Sequence, residues 1–231
     1  VLSIENLSFA YGNVQVLHNI NMAMAPGEVT CIVGRNGVGK TTLMKNIMGT
    51  LRASGGDLSL NNVQLRRLPA NRRAKAGIAL VPQGRQIFPK LTVQENLLVG
   101  LQARTNRVKK IPDEIYDMFP ILKSMARRMG GDLSGGQQQQ LAIGRALVGE
   151  PEVLLLDEPT EGIQPNIIQQ IGEVLRQLAK ERNVIVVLVE QYLDFVHEFG
   201  HRFYLMNRGR SVADGATSEL TSDLVAAHLS V

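Results

Sequence analysis

At 231 residues, 44% of them apolar and 20% charged, the chain has the composition of a soluble globular protein, with room for one large α/β domain or a core carrying an inserted subdomain. Its formal net charge of +4, from 25 basic against 21 acidic residues, is too small and too scattered to argue for nucleic acid as a partner; the local cluster of Arg66, Arg67, Arg72, Arg73 and Lys75 reads as a solvated basic face. The single cysteine, Cys31, excludes an intrachain disulfide and reads as a buried thiol in a reducing compartment, and no Cys/His cluster marks a metal site.

The apolar runs 153–156 and 184–189 fall far short of the roughly 20 residues that span a bilayer, and the N-terminus has no signal-peptide pattern, so any membrane role is expected to come through a partner. In chain order, residues 2–9 alternate as a half-buried strand, 10–13 read as a turn, and 14–17 and 20–24 read as two further strands. Tyr11, on the turn, is placed either to stack on a base or to serve as an ordinary turn tyrosine. A turn at Pro26-Gly27-Glu28 leads into a short β-branched run, 29–33, with Cys31 inside it.

This run leads into Gly34-Arg35-Asn36-Gly37-Val38-Gly39-Lys40-Thr41 and then Thr42, a match at each defined position of G-x-x-x-x-G-K-S/T. Residues 42–48 have helical spacing, so the motif sits between a strand and a helix. Glycines there let successive N–H groups converge on one anion, and the helix start adds free N–H groups and the positive end of its dipole. Lys40 is expected to reach the β- and γ-phosphates and the Thr41 hydroxyl to ligate Mg²⁺.

Residues 54–57 read as a turn, 58–60 as a short strand, 61–62 as a turn and 78–81 as a buried strand ending at Pro82-Gln83. Beyond it strand-like runs give way to helical ones at 93–101, 111–119 and 137–147, which predicts a helical insertion between about residues 84 and 149. The expected organisation is therefore one domain, 1–231, with a core of 1–83 and 150–231. Leu133-Ser134-Gly135-Gly136-Gln137 opens the last of these helices: Ser134 is either an N-cap or, with two glycine N–H groups, part of a second anion site. Four apolar residues, 153–156, then run into Asp157 and Glu158. At the end of a buried strand Asp157 can hold the Mg²⁺ shell and Glu158 can polarise a water facing the γ-phosphate; the plain alternative is two solvated acids.

The phosphate loop at 34–41, Gln83, the LSGGQ run at 133–137 and the VLLLDE run at 153–158 resemble, in order and spacing, the ABC-type ATPase domains, over nearly the whole chain. The resemblance implies an α/β fold, a P-loop NTPase core of ABC type with an antiparallel β subdomain and an inserted helical subdomain, that binds and hydrolyses ATP with Mg²⁺. It implies a head-to-tail dimer in which Ser134, Gly135, Gly136 and Gln137 of one subunit close on the phosphate loop of the other, with Tyr11 stacking on adenine and Gln83 meeting Mg²⁺ and sensing the membrane partner. The partners implied are a second cassette subunit, heterodimeric in the importer with a homodimer open to the isolated chain, two transmembrane permease subunits and, indirectly, an extracytoplasmic substrate-binding protein. The location implied is peripheral, on the cytoplasmic face of the inner membrane.

Residues 160–172 and 189–195 look like the ATP-binding subunits of urea importers, relatives of the branched-chain amino-acid importers, so urea is the expected cargo, with branched-chain amino acids or another small amide as the alternative. Two positions depart from the wider family: Gln164 stands where Asp is usual, and Gln191 where His usually meets the γ-phosphate. An amide can donate a hydrogen bond there but cannot become cationic. In the family the segment Gln86-Ile87-Phe88-Pro89 receives the membrane subunit, which predicts an exposed apolar docking patch; core packing is the other reading of Ile87 and Phe88. A non-transport ABC ATPase or a small P-loop kinase are the competing functions; the first generally carries a coiled-coil insertion or second cassette, and the second has no use for LSGGQ.

Overall fold

The computed structural model describes residues 1–106 and 108–229; Arg107, within the expected insertion, and 230–231, at the end of the expected core, lie outside the described residues. Strands β1 (Leu2–Tyr11) and β2 (Val14–Met24) form a hairpin, and β3 (Val29–Val33) leads into helix α1 (Lys40–Met48). Strands β4 (Gly55–Leu60) and β5 (Val63–Gln64), helix α2 (Ala70–Lys75) and strand β6 (Ile78–Val81) come after it. Four helices succeed them: α3 (Val93–Gly100), α4 (Asp113–Met118), α5 (Pro120–Ser124) and α6 (Gly135–Leu147). The chain then alternates through β7 (Val153–Asp157), α7 (Pro165–Arg182), β8 (Ile185–Glu190), α8 (Leu193–Phe199), β9 (Arg202–Asn207), β10 (Arg210–Ala216) and α9 (Ser222–Leu229).

The strands make two sheets. One is antiparallel, in the order β2-β1-β4-β5; the other, β10-β9-β3-β8-β7-β6, is parallel except for β10. Strands β3, β7 and β8 are buried along their whole length because both faces of the parallel sheet are covered. On β7 and β8, Val153, Leu155, Ile185, Val187 and Val189 face α1 and the antiparallel sheet, while Leu154, Leu156, Val186 and Leu188 face the layer that holds α6, α7 and α8. These strands accordingly read as unbroken apolar runs in the sequence.

Elsewhere the elements depart from the sequence pattern for local reasons. The expected strands 14–17 and 20–24 are one strand, β2; its alternation breaks at Asn19, which has φ 50° and accepts Ser8 Oγ on its side chain at 3.0 Å, beside irregular pairing with β1. Gly55 and Gly56 belong to β4 rather than to a turn: Gly56 has φ 83°, and a Cβ there would lie 2.4 Å from the Asn6 backbone, so the pair makes a bulge against β1. The expected helix 111–119 is shortened to α4 by Pro112 at its N-cap and succeeded by a separate α5 starting at Pro120. Arg73 leaves the expected solvated face: it is 2% exposed, and its guanidinium donates to the carbonyls of Asn46 (2.6 Å), Ile47 (2.8 Å), Arg66 (3.0 Å) and Leu68 (2.9 Å) at the C-terminal end of α1 and the approach to α2.

Candidate active site

Parallel register brings four strand ends to one edge. Val33 lies opposite Glu190, Asp157 opposite Val189 and Val81 opposite Leu156, so the phosphate loop, the acid pair, Gln83 and Gln191 leave the sheet side by side at the C-terminal ends of the strands. Gly39 is the N-cap of α1 at φ 106°, and Gly34 has no room for a side chain: a Cβ would lie 2.5 Å from the Met206 carbonyl oxygen. The loop is therefore pressed onto the end of β9 and enters the helix through a left-handed residue.

A cleft of about 420 Å³ opens above this loop, lined by Val16, Asn36, Gly37, Gly39, Lys40, Thr41, Thr42, Gln83 and Glu158. Lys40 is 4% exposed; its Nζ donates to the carbonyls of Gly34 (2.7 Å) and Arg35 (2.8 Å) and stands 4.0 Å from Glu158 Oε1. Burial lowers its ammonium pKa, while Glu158, Asp157 and Glu190 pull the other way. Glu158, at φ 50°, accepts from Gln191 Nε2 on Oε1 (2.6 Å) and from Gln83 Nε2 on Oε2 (3.0 Å). Gln191 Nε2 also donates to Asn36 Oδ1 (2.6 Å), and Gln83 Nε2 to Glu161 (3.2 Å). Two neutral amides thus hold one carboxylate at the mouth of the phosphate loop.

Asp157 is 4% exposed, and burial raises its carboxyl pKa, against a hydrogen bond with the Thr41 side chain and the charges of Lys40 and Lys45. Its Oδ1 is buried without a hydrogen-bond partner. An orphaned carboxylate oxygen beside a loop hydroxyl fits an ion that takes its remaining ligands from phosphate and water, as Mg²⁺ does. Among the described residues no group of three His, Cys, Asp or Glu side chains could hold a metal by itself.

Other expected site residues lie outside the cleft. Val38 is in the core at 9% exposure, and Tyr11 ends β1 at 49% exposure with its ring edge-on to Phe9 (4.8 Å between centroids). Ser134 caps α6 in a reciprocal box with Gln137 (Ser134 N to Gln137 Oε1, 2.9 Å), and Gly135 and Gly136 pack against Arg85 and Ile167. Gln164 is the N-cap position of α7 without a side-chain cap bond. Of the expected apolar pair, Ile87 packs on the helical core, while Phe88 stays 44% exposed beneath the Arg145 guanidinium, 5.2 Å from its ring centroid. Phe88 borders an apolar groove of about 690 Å³ with Met48, Leu51, Leu80, Val99 and Ala146. That groove, and a cavity of about 530 Å³ at the opposite ends of the strands around Pro26, Leu147 and Leu178, exceed the cleft in size; chemistry rather than volume picks the site.

Sequence patterns did not single out Val16, Glu161 or Glu190. Glu190 carried the same signal as Asp157, an acid ending a wholly apolar strand.

A parallel sheet with a phosphate loop on one strand and an acid pair two strands away places the chain among the P-loop nucleoside triphosphatases. A family model described as ABC transporter matches residues 17–161, and the chain belongs to the ABC transporter family of ATPases. It is 39% identical over 213 residues to the high-affinity branched-chain amino acid transport ATP-binding protein BraG of Pseudomonas aeruginosa, covering 92% of this chain and 91% of BraG. It is 34% identical over 221 residues to the probable branched-chain amino acid transport ATP-binding protein LivF of Archaeoglobus fulgidus, covering 95% and 94%. Among solved structures, an ATP-binding cassette in a dimeric post-hydrolysis state with ADP and Pi superposes with a TM-score of 0.84 at 26% identity, covering 94% of this chain and 99% of that one. Both sequence relatives are named for branched-chain amino acids, so the comparisons favour the alternative cargo over urea.

Proposed function

We propose that this chain is the ATP-binding and ATP-hydrolysing subunit of a membrane importer for branched-chain amino acids. The cargo reading rests on the names of the two sequence relatives. The observation that carries the chemistry is Glu158, held by the Gln83 and Gln191 amides at the mouth of the phosphate loop. The loop N–H groups and Lys40 bind the ATP phosphates, Lys40 exchanging the Gly34 and Arg35 carbonyls for phosphate oxygens. Asp157, Thr41 and Gln83 are the residues that would hold Mg²⁺, which neutralises charge on the phosphates when bound. Glu158 orients the attacking water and takes its proton as the water oxygen bonds to the γ-phosphorus and the bond from that phosphorus to the bridging oxygen breaks, ADP leaving with the electron pair and inorganic phosphate as the other product.

In this reading the core is 1–83 and 150–231, and 84–149 is the helical unit whose Ser134–Gln137 turn completes the site of a second cassette, with Tyr11 against adenine. No helix among the described residues is long and apolar enough to cross a membrane, which suits a subunit seated on the cytoplasmic face of two permease subunits that receive cargo from an extracytoplasmic binding protein. The exposed ring of Phe88 and the apolar groove behind it suit the permease contact. The experiment pairs two variants in the assembled transporter. Lys40→Ala is expected to abolish equilibrium binding of labelled MgATP, and Phe88→Asp to spare it while uncoupling branched-chain amino-acid uptake. Unchanged affinity in the first would mean that the phosphate loop is not the nucleotide site. ATP-driven uptake of urea with no uptake of branched-chain amino acids would replace the cargo.

A further inference from the structure

We infer that Glu190 is a positioning residue for hydrolysis, tying the loop after Glu158 to the segment carrying Gln191 so that the groups around the attacking water move as one. The inference rests on the proposed hydrolytic site at Glu158. Glu190 ends β8, is 2% exposed and lies opposite Val33, the last residue before the phosphate loop. Its two oxygens serve different stretches of chain. Oε1 accepts from the Thr160 backbone N–H (3.1 Å) and hydroxyl (2.8 Å); Oε2 accepts from the N–H groups of Gln191 (3.0 Å) and Tyr192 (3.3 Å).

These contacts close a ring. Glu158 runs through the backbone to Thr160, Thr160 bonds to Glu190, Glu190 holds Gln191, and the Gln191 amide returns to Glu158 Oε1 (2.6 Å). The Glu158 N–H is itself anchored on the Val189 carbonyl (2.9 Å), so two consecutive residues at the end of β8 suspend the loop at 158 and at 160. Gln191 extends the ring to Asn36 of the phosphate loop. A turn that only needed its N–H groups satisfied could use a neutral side chain; desolvating a carboxylate is costly, and this one divides four acceptor contacts between Thr160 and the Gln191-Tyr192 pair. Its charge also reaches Lys40.

The test is Glu190→Gln in the full chain assembled with its membrane subunits. An amide in this place turns its NH₂ toward N–H donors on one side or the other and so releases one segment. We expect MgATP affinity and thermal midpoint close to wild type, with single-turnover hydrolysis at saturating ATP slowed about 10- to 100-fold, the scale attached to a misplacement of about 1 Å. Thr160→Val, cutting the ring at its other side, should produce the same split, and the double variant should be no slower than either single one. If Glu190→Gln fails to fold, Thr160→Val carries the test alone. Normal turnover, or turnover lost only in step with ATP affinity and stability, overturns the positioning role. Glu158→Gln measured alongside separates the two readings: turnover retained there removes the site, whereas turnover lost there and intact in Glu190→Gln removes only the strut.

Discussion

Amide donors on both oxygens of one carboxylate fix the direction in which it points, because a hydrogen bond weakens steeply as it departs from linearity. Gln83 and Gln191 aim Glu158 in this way, at 3.0 and 2.6 Å, with the Lys40 ammonium 4.0 Å from the same carboxylate. Glu158→Gln keeps the shape of the side chain but removes the base; MgATP should still bind and turnover should fall on the order of 10²-fold or more. Hydrolysis in the assembled transporter measures it, and a near-normal rate would take Glu158 out of the mechanism. The phosphate loop and the acid pair stand out in the sequence because the chemistry dictates residue types at fixed spacings, whereas Gln83 enters only through the family resemblance. Glu190 carries the same signal as Asp157, an acid ending an apolar strand, but the sequence does not show which N–H groups it meets, since Thr160 is 30 residues away.

Among the elements, α1 shows most plainly what sequence patterns omit. The charge of Arg73 was visible, but its destination was not. The last turn of α1 leaves carbonyls unpaired; Gly49 at φ 85° lets three N–H groups, of Gly49, Thr50 and Leu51, converge on the Lys45 carbonyl, and Arg73 takes those of Asn46 and Ile47. A side chain at Gly49 would meet the guanidinium, its Cβ 2.8 Å from Arg73 Nε. Arg73→Met should then destabilise the fold by about 2–4 kcal/mol, since buried carbonyls lose a charged donor and keep their desolvation cost. Urea unfolding reads this directly; a loss within about 0.5 kcal/mol, the range of ordinary surface changes, would return Arg73 to the solvated face. The buried strands were legible because both sheet faces are covered and the runs are continuously apolar, whereas β2 and β4 were misread where bulges interrupt the alternation.

At the scale of the whole molecule, the chain's own phosphate loop and Gln191 belong to one site, and Ser134 stands apart from it at the head of α6. In the head-to-tail assembly we propose, a substitution at Gln191 weakens only the site built on this chain's phosphate loop. A partner cassette with His at the matching position gains a charge-assisted bond to phosphate that an amide cannot supply. The expectation is a heterodimer with one dominant hydrolytic site and a slow isolated chain. Single-turnover rates with the catalytic carboxylate removed from each cassette in turn will differ if this holds; equal intrinsic rates at the two sites would end the asymmetry.

Cys31 lies fully buried on β3, between β8 and β9 in the middle of the parallel sheet, and burial, reinforced by Glu190, pushes its thiol far above the ordinary range. Being the only cysteine in the chain, it leaves the native surface free of competing thiols. A cysteine introduced at an exposed position can therefore carry a single fluorophore or spin label without first stripping the native one. Under the same reagent Cys31 becomes an internal clock: it is alkylated only when the helices packed on that face of β3 lift away, so its slow labelling reports the opening of the core on which the phosphate loop is mounted.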